Sequence, residues 1–167
     1  MAASLFVRQD ACAGLKVCSD LVQLRTESRV QFVDLTELVE ERVRRSGVRH
    51  GTVLVQTRHT TTGVVVNENE PLLIEDMART LERAAPRDLR YRHNDLADRP
   101  GLPPDESENG DAHCKALLLR ASETLAIVDG DVQRGTWQRI FLVELDGPRA
   151  RSLAIVVMGA TAGEGGQ

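Results

Sequence analysis

The chain is poor in cysteine, in aromatic residues, in lysine and in long apolar runs, and each shortage removes a class of protein. Cys12, Cys18 and Cys114 are an odd number with no CxxC pair, so neither a disulfide framework nor a zinc ribbon is expected and the thiols are read as free. Phe6, Phe32, Tyr91, Trp137 and Phe141 are too few and too scattered to stack bases, and no stretch concentrates Lys or Arg, so nucleic acid is not an expected partner. The longest apolar run, Leu153 to Met158, has the length of a strand, whereas a membrane helix needs roughly 20 residues. Met1 to Asp10 lacks the basic-then-apolar order of a secretory leader, so no membrane partner is expected and the cytoplasm is the expected location.

What is present fits one globular domain. With 167 residues, 41% hydrophobic and 28% charged, the chain can bury a core and is neither collagen-like nor wholly disordered. Nineteen of its 21 basic residues are Arg, which suits bidentate binding of phosphate or carboxylate, although a compositional bias gives the same count.

Hydrophobic period divides the chain into elements. Leu15 to Leu24 alternates imperfectly and reads as a strand. Asp34 and Glu37 have capping-box spacing before Leu35, Leu38, Val39 and Val43, and Ser46-Gly47 stops that helix. Thr52 to Gln56 and Gly63 to Val66 are short and β-branched, as strands are. Pro71 opens a second helix with Leu73, Ile74, Met77, Leu81 and Ala84 on its apolar side, closed by Pro86. Pro86 to Ala112 carries four prolines and no apolar period; a connection this long is a candidate lid or site wall. His113 to Ala121 reads as a short helix, and Leu125 to Val128, Trp137 to Leu145 and Ser152 to Met158 as strands. Strands in adjacent blocks without βαβ alternation give an α+β fold on mostly antiparallel sheet. The expected organisation is an N-terminal segment 1–14, a single domain 15–160 and a frayed tail 161–167.

Three of the four histidines stand beside small polar residues at element ends: His59 in RHTTTG, His93 in YRHND and His113 in GDAHCK. Converging imidazoles would hold zinc or a similar first-row ion, but no HExxH or HxH pair is present, and three unrelated histidines fit the spacing as well. Asn67-Glu68-Asn69-Glu70 sits at a helix start, where such side chains cap free amides; the functional alternative makes Glu68 a metal partner or general base supported by Asp76. Gly135-Thr136, without a GK[ST] ending, either offers amides and a hydroxyl to an anion or is a hairpin turn. Arg149 and Arg151 share a face if extended, as a phosphate clamp, a solvated strand face or an inter-subunit salt-bridge donor. Neither a serine nucleophile elbow nor a GxGxxG appears.

Taken together, RHTTTGVVVNENE, Tyr91 to Asn94, NGDAHCK, GTWQRIF and DGPRAR resemble the YjbQ family, which is named for secondary thiamine-phosphate synthase activity, in order and spacing from Leu15 to Gly159. The resemblance implies stacked antiparallel sheets, a homotrimer with sites near subunit boundaries, and a divalent metal on His59, His93 and His113, with zinc expected and Mg²⁺ the alternative beside a pyrophosphate. It makes Asn67, Glu68 and Asp76 catalytic candidates, and Gly135, Thr136, Gln138, Arg149 and Arg151 a phosphate-binding surface for a small phosphorylated metabolite. The implied reaction joins a pyrimidine methyl pyrophosphate to a thiazole phosphate with release of pyrophosphate. Imidazole donors suit a softer ion than pyrophosphate chemistry usually employs, so a metal-dependent hydrolase of a small phosphorylated or carbonyl compound is the second expectation, and a non-catalytic metal- or metabolite-binding trimer the third. Cys114, Glu70 and Arg120 depart from the family pattern without removing a ligand.

Overall fold

The computed structural model describes residues 14–103 and 106–162. In chain order the elements are β1 (Leu15–Arg25), β2 (Gln31–Asp34), α1 (Thr36–Ser46), β3 (Val48–Thr57), β4 (Thr62–Glu68), α2 (Pro71–Ala84), α3 (Gly110–Ala116), β5 (Ser122–Val128), β6 (Asp131–Val132), β7 (Gln138–Glu144) and β8 (Ala150–Thr161). Two single 3₁₀ turns, Arg92–Asn94 and Leu96–Asp98, lie in the connection before α3. The strands form a five-stranded sheet, β1-β8-β3-β5-β6, and a three-stranded sheet, β2-β7-β4, with every pairing antiparallel. The α+β expectation holds.

The small sheet is covered on both faces, and β7 shows why its sequence is an unbroken apolar run. Ile140 and Leu142 face the large sheet and join Val53, Val55, Leu153 and Ile155 in the main core, which Leu35, just before α1, and Val39 and Val43 of α1 complete. Phe141, Val143 and Leu145 face the other way and pack with Leu81 of α2 and Ala112 of α3. Among the described residues no helix covers the outer face of the large sheet. Register sets Val17 beside Met158, Met158 beside Thr52 and Thr52 beside Ala126, and Leu15, Val17, Leu21, Val128 and Met158 are all exposed.

Several local expectations are refined. The capping box does not close: Asp34 Oδ1 accepts from Thr36 N at 2.9 Å, but Glu37 stays exposed with its carboxylate 3.9 Å from Arg139. The helix expected at His113 to Ala121 begins earlier, at Gly110, and gives way after Ala116 to a turn that leaves Leu117 and Leu118 exposed. Within the connection that starts at Pro86, local bonds hold the described residues, among them Tyr91 OH to Pro86 O at 2.8 Å and Arg99 Nη1 to His93 O at 2.9 Å. Cys18 and Cys114 are free, while Cys12 and the tail from Gly163 lie outside the described residues.

Candidate functional site

Register along β7 divides the sequence-derived candidates into two groups. Thr62 pairs with Glu144 and Glu68 with Gln138, so the strand's two ends are six residues apart, about 20 Å at a strand's rise. Asn67, Glu68, Gln138, Gly135 and Thr136 belong to one end. The His59 loop, Glu144, Asp146, Arg149 and Arg151 belong to the other.

At the first end the bland readings account for most of the side chains. Glu70 caps α2 by accepting from Leu72 N at 3.0 Å and Leu73 N at 2.8 Å. Asn67 donates to Met77 Sδ at 3.2 Å, and Asp76 is salt-bridged to Arg79 at 2.9 Å on the exposed side of α2. Asn67 and Asp76 line an apolar groove of about 280 Å³ with Phe32, Val65, Met77 and Leu81. The Gly135 amide, offered above to an anion, donates instead to Gln138 Oε1 at 2.8 Å. Gly135 and Thr136 line a polar cleft of about 330 Å³ with Glu40, Arg44 and Arg134.

The second end holds a continuous polar network. The rings of His93 and His113 stack edge to face with centroids 4.7 Å apart. His93 comes from a 3₁₀ turn and His113 from α3, and the two segments are tied where Gly110 N donates to Asn94 Oδ1 at 2.9 Å. Gly110 is needed there, because a Cβ would lie 2.5 Å from Tyr91 Cβ and 3.0 Å from Asn94 Oδ1. Burial, with His93 as the next cause, holds the His113 imidazole below its ordinary pKa. His93 Nε2 is closed to solvent and has no hydrogen-bond partner.

Around the histidines, buried Asp146 gathers three donors: Asn109 Nδ2 at 2.8 Å, Arg149 Nη2 at 2.9 Å and Arg29 Nη1 at 3.3 Å. Arg149 also bonds Ser107 Oγ at 2.5 Å, and Arg29 continues to Asp111 at 2.8 Å. Asp111 in turn holds Lys115, 1% exposed, at 2.9 Å, and Lys115 reaches Glu82 of α2 at 2.7 Å. Sequence reasoning missed Asn109, Asp146, Arg29 and Glu144. Asn109, Asp146 and Glu144 had as their signal only a place in the NGDAHCK and DGPR stretches or beside them, Arg29 had none, and pairing across more than 30 residues cannot be read from spacing.

Arg149 and Arg151 do not form a clamp. Arg151 is buried and spends its guanidinium on Glu144 and on Thr61 Oγ1, whereas Arg149 is held by Asp146 and Ser107. His59 is occupied differently again. Its Nε2 accepts from Ser152 N at 2.8 Å, which fixes a neutral ring with the proton on Nδ1. Burial, then the positive charge of Arg151, keeps its pKa low. To ligate a metal through Nε2, His59 would have to release Ser152. Among the described residues no three His, Cys, Asp or Glu side chains are gathered to hold a metal ion. Ser152 lies on the outer face of the large sheet, opposite Gln23 of β1, so His59 stands at the rim of that uncovered face.

Comparisons with known proteins agree on one grouping. Residues 20–160 match the family model described as UPF0047 protein YjbQ-like. The chain is 37% identical over 145 residues, 87% of its length and 94% of the relative's, to a UPF0047 protein of Methanothermobacter thermautotrophicus. It is 40% identical over 132 residues, 79% and 94% of the two lengths, to a UPF0047 protein of Archaeoglobus fulgidus. A crystal structure of a YbjQ-like protein of unknown function from Sulfolobus solfataricus superposes with a TM-score of 0.79 at 34% identity, covering 87% of this chain and 99% of that one. A hypothetical protein from Aeropyrum pernix superposes with a TM-score of 0.75 at 33% identity, covering 84% and 98%. With the fold and most of the chain matched, this protein belongs to the UPF0047 family of YjbQ-like proteins.

Proposed function

We propose that the chain is a metal-dependent enzyme acting on a small phosphorylated metabolite, with its site at His93 and His113 beside Arg149. The observation that carries the reading is the buried, unpartnered Nε2 of His93 next to the depressed imidazole of His113. Neutral imidazoles favour zinc or a similar ion. The nearby oxygens favour Mg²⁺ less, because Asp146 already accepts three donors and Glu106 is bonded to Arg99 at 3.0 Å. Such an ion, when bound, would supply Lewis acidity toward a phosphoryl oxygen.

In this reading His93 and His113 hold the ion. Arg149, its Nε fixed by Asp146 O at 2.8 Å, presents a pre-oriented guanidinium to a phosphate. Glu144 and Arg151 tie β7 to β8 at the same end of β7. Asn67, Glu68 and Asp76 have no part in it, being toward or beyond the far end of β4. The reaction that fits the family's name is thiamine-phosphate synthesis, in which Arg149 would neutralise the leaving pyrophosphate. Hydrolysis of a single phosphorylated compound is the second reading, favoured by the imidazole donors. The exposed apolar residues of the large sheet support assembly with further copies of the chain, with His59 at the boundary; the number three is what the family resemblance implies.

The test is turnover with defined substrates. Pyrophosphate released only when both the pyrimidine and thiazole precursors are present supports the synthase. Metal-dependent phosphate release from one compound supports the hydrolase. Tight binding of either precursor without turnover contradicts both and leaves a binding protein.

A further inference from the structure

We infer that Ser107 is a second anion-binding residue, its hydroxyl donating to the same phosphoryl group that the open edge of Arg149 holds. The inference rests on the phosphate reading of Arg149 above and adds a residue that no motif singled out, in the connection that the sequence marks as a candidate site wall.

Of the five N–H groups of a guanidinium, the protein takes up three at Arg149. Nε donates to Asp146 O at 2.8 Å, and Nη2 donates to Asp146 Oδ2 at 2.9 Å and to Ser107 Oγ at 2.5 Å. Asp146 thus fills one edge of the fork with its carbonyl and its carboxylate. Among the described residues Nη1 meets no acceptor, and it is not among the polar atoms closed to solvent. The remaining edge of Arg149 is open.

Ser107 is in the matching condition. Its oxygen faces two donors, Arg149 Nη2 and, at 3.5 Å, Asn109 Nδ2, which occupy the two lone pairs of a hydroxyl. The hydroxyl proton therefore points away from both, and among the described residues it has no acceptor. Ser107 is half-buried, so this proton is within reach of a ligand from solvent. Neither of the carboxylates in this corner takes up these donors, since Asp146 already accepts three and Glu106 is bonded to Arg99 at 3.0 Å.

A hydroxyl and the N–H groups of Nη1 are left side by side on two residues in direct contact. An anionic oxygen is the group that receives both, and a terminal phosphoryl group carries three acceptor oxygens, enough for the whole set. The serine is also held in place for the task. Glu106 before it is tied to Arg99, whose Nη1 donates to His93 O at 2.9 Å, and Asn109 after it is tied to Asp146 at 2.8 Å.

The experiment is calorimetric titration of pyrophosphate into the full chain and into Ser107→Ala, Arg149→Ala and the double variant. Ser107→Ala should bind about tenfold more weakly, the range of one hydrogen bond to a charged group. The double variant separates donation from support: a serine that only held Arg149 in place costs nothing further once Arg149 is gone, whereas a donor still costs affinity in that background. If Arg149→Ala weakens binding while Ser107→Ala matches or exceeds the parent, or if the double variant equals Arg149→Ala, the inference fails and the phosphate reading stands. If the parent binds no pyrophosphate, or Arg149→Ala binds it as the parent does, both fail.

Discussion

Arg151 of β8 and Glu144 at the end of β7 form a two-point ion pair inside the protein, Glu144 wholly shielded and Arg151 6% exposed. Thr26 adds a hydroxyl donor at 3.0 Å, and the amides of Leu145 and Asp146 donate at 2.9 and 2.8 Å. The pair joins the two sheets at the histidine end, where the Thr61 carbonyl accepts from Leu145 N.

Removing one partner leaves the other charge buried, so Glu144→Gln should lower unfolding free energy by about 3 to 5 kcal/mol in urea denaturation at pH 7. Burial alone would raise the Glu144 carboxyl, but Arg151 and the backbone donors hold it below the usual range. A depressed folded pKa gives stability that is complete above the unfolded value of about 4.3 and is lost as pH falls through the lower folded value. The parent should therefore lose stability steeply in that acid window, and Glu144→Gln should be flatter there. Equal slopes would show that Glu144 is not ionised in the folded protein.

Gly110→Ala should disturb the site more than the core. The new Cβ would press on Tyr91 and Asn94, shifting the turn that carries His93, with a stability cost of about 1 to 3 kcal/mol. Co²⁺ affinity should fall with it. A variant that melts lower but binds Co²⁺ as the parent does would detach His93 from the metal.

The phosphate reading separates Arg149 from the Gly135-Thr136 turn. Calorimetric titration with pyrophosphate should show Arg149→Ala weakened by about tenfold, the range of one charge-assisted bond. Thr136→Ala, at the opposite end of β7, should match the parent. The reverse pattern would move the anion site to the cleft lined by Arg44 and Arg134.

Much of the fold was legible because its signals are local. The 3.6 period of Leu35, Leu38, Val39 and Val43, and Pro71 before an apolar stripe, fall where α1 and α2 form. β2 was missed because Gln31–Asp34 is four residues long and takes its identity from pairing with β7. The site was legible only in part. His93 and His113 were named, but their contact is made by the Gly110–Asn94 bond, which spacing does not encode. Arg149 and Arg151, alike in sequence, were separated because one is held by Asp146 and Ser107 and the other by the buried carboxylate of Glu144. His59 has the residue type of a ligand, yet its lone pair is already held by the Ser152 amide. Asn109 stood in the NGDAHCK stretch, but its bond to Asp146 spans 37 residues and no local pattern encodes it.

The most direct test of the account is metal content per chain, by plasma emission, in protein purified without a histidine tag and in its His113→Ala variant. About one transition-metal ion per chain in the parent, lost in a variant that keeps its circular dichroism, is the predicted result. No ion in the parent after reconstitution with zinc, or the same content in both proteins, would contradict it.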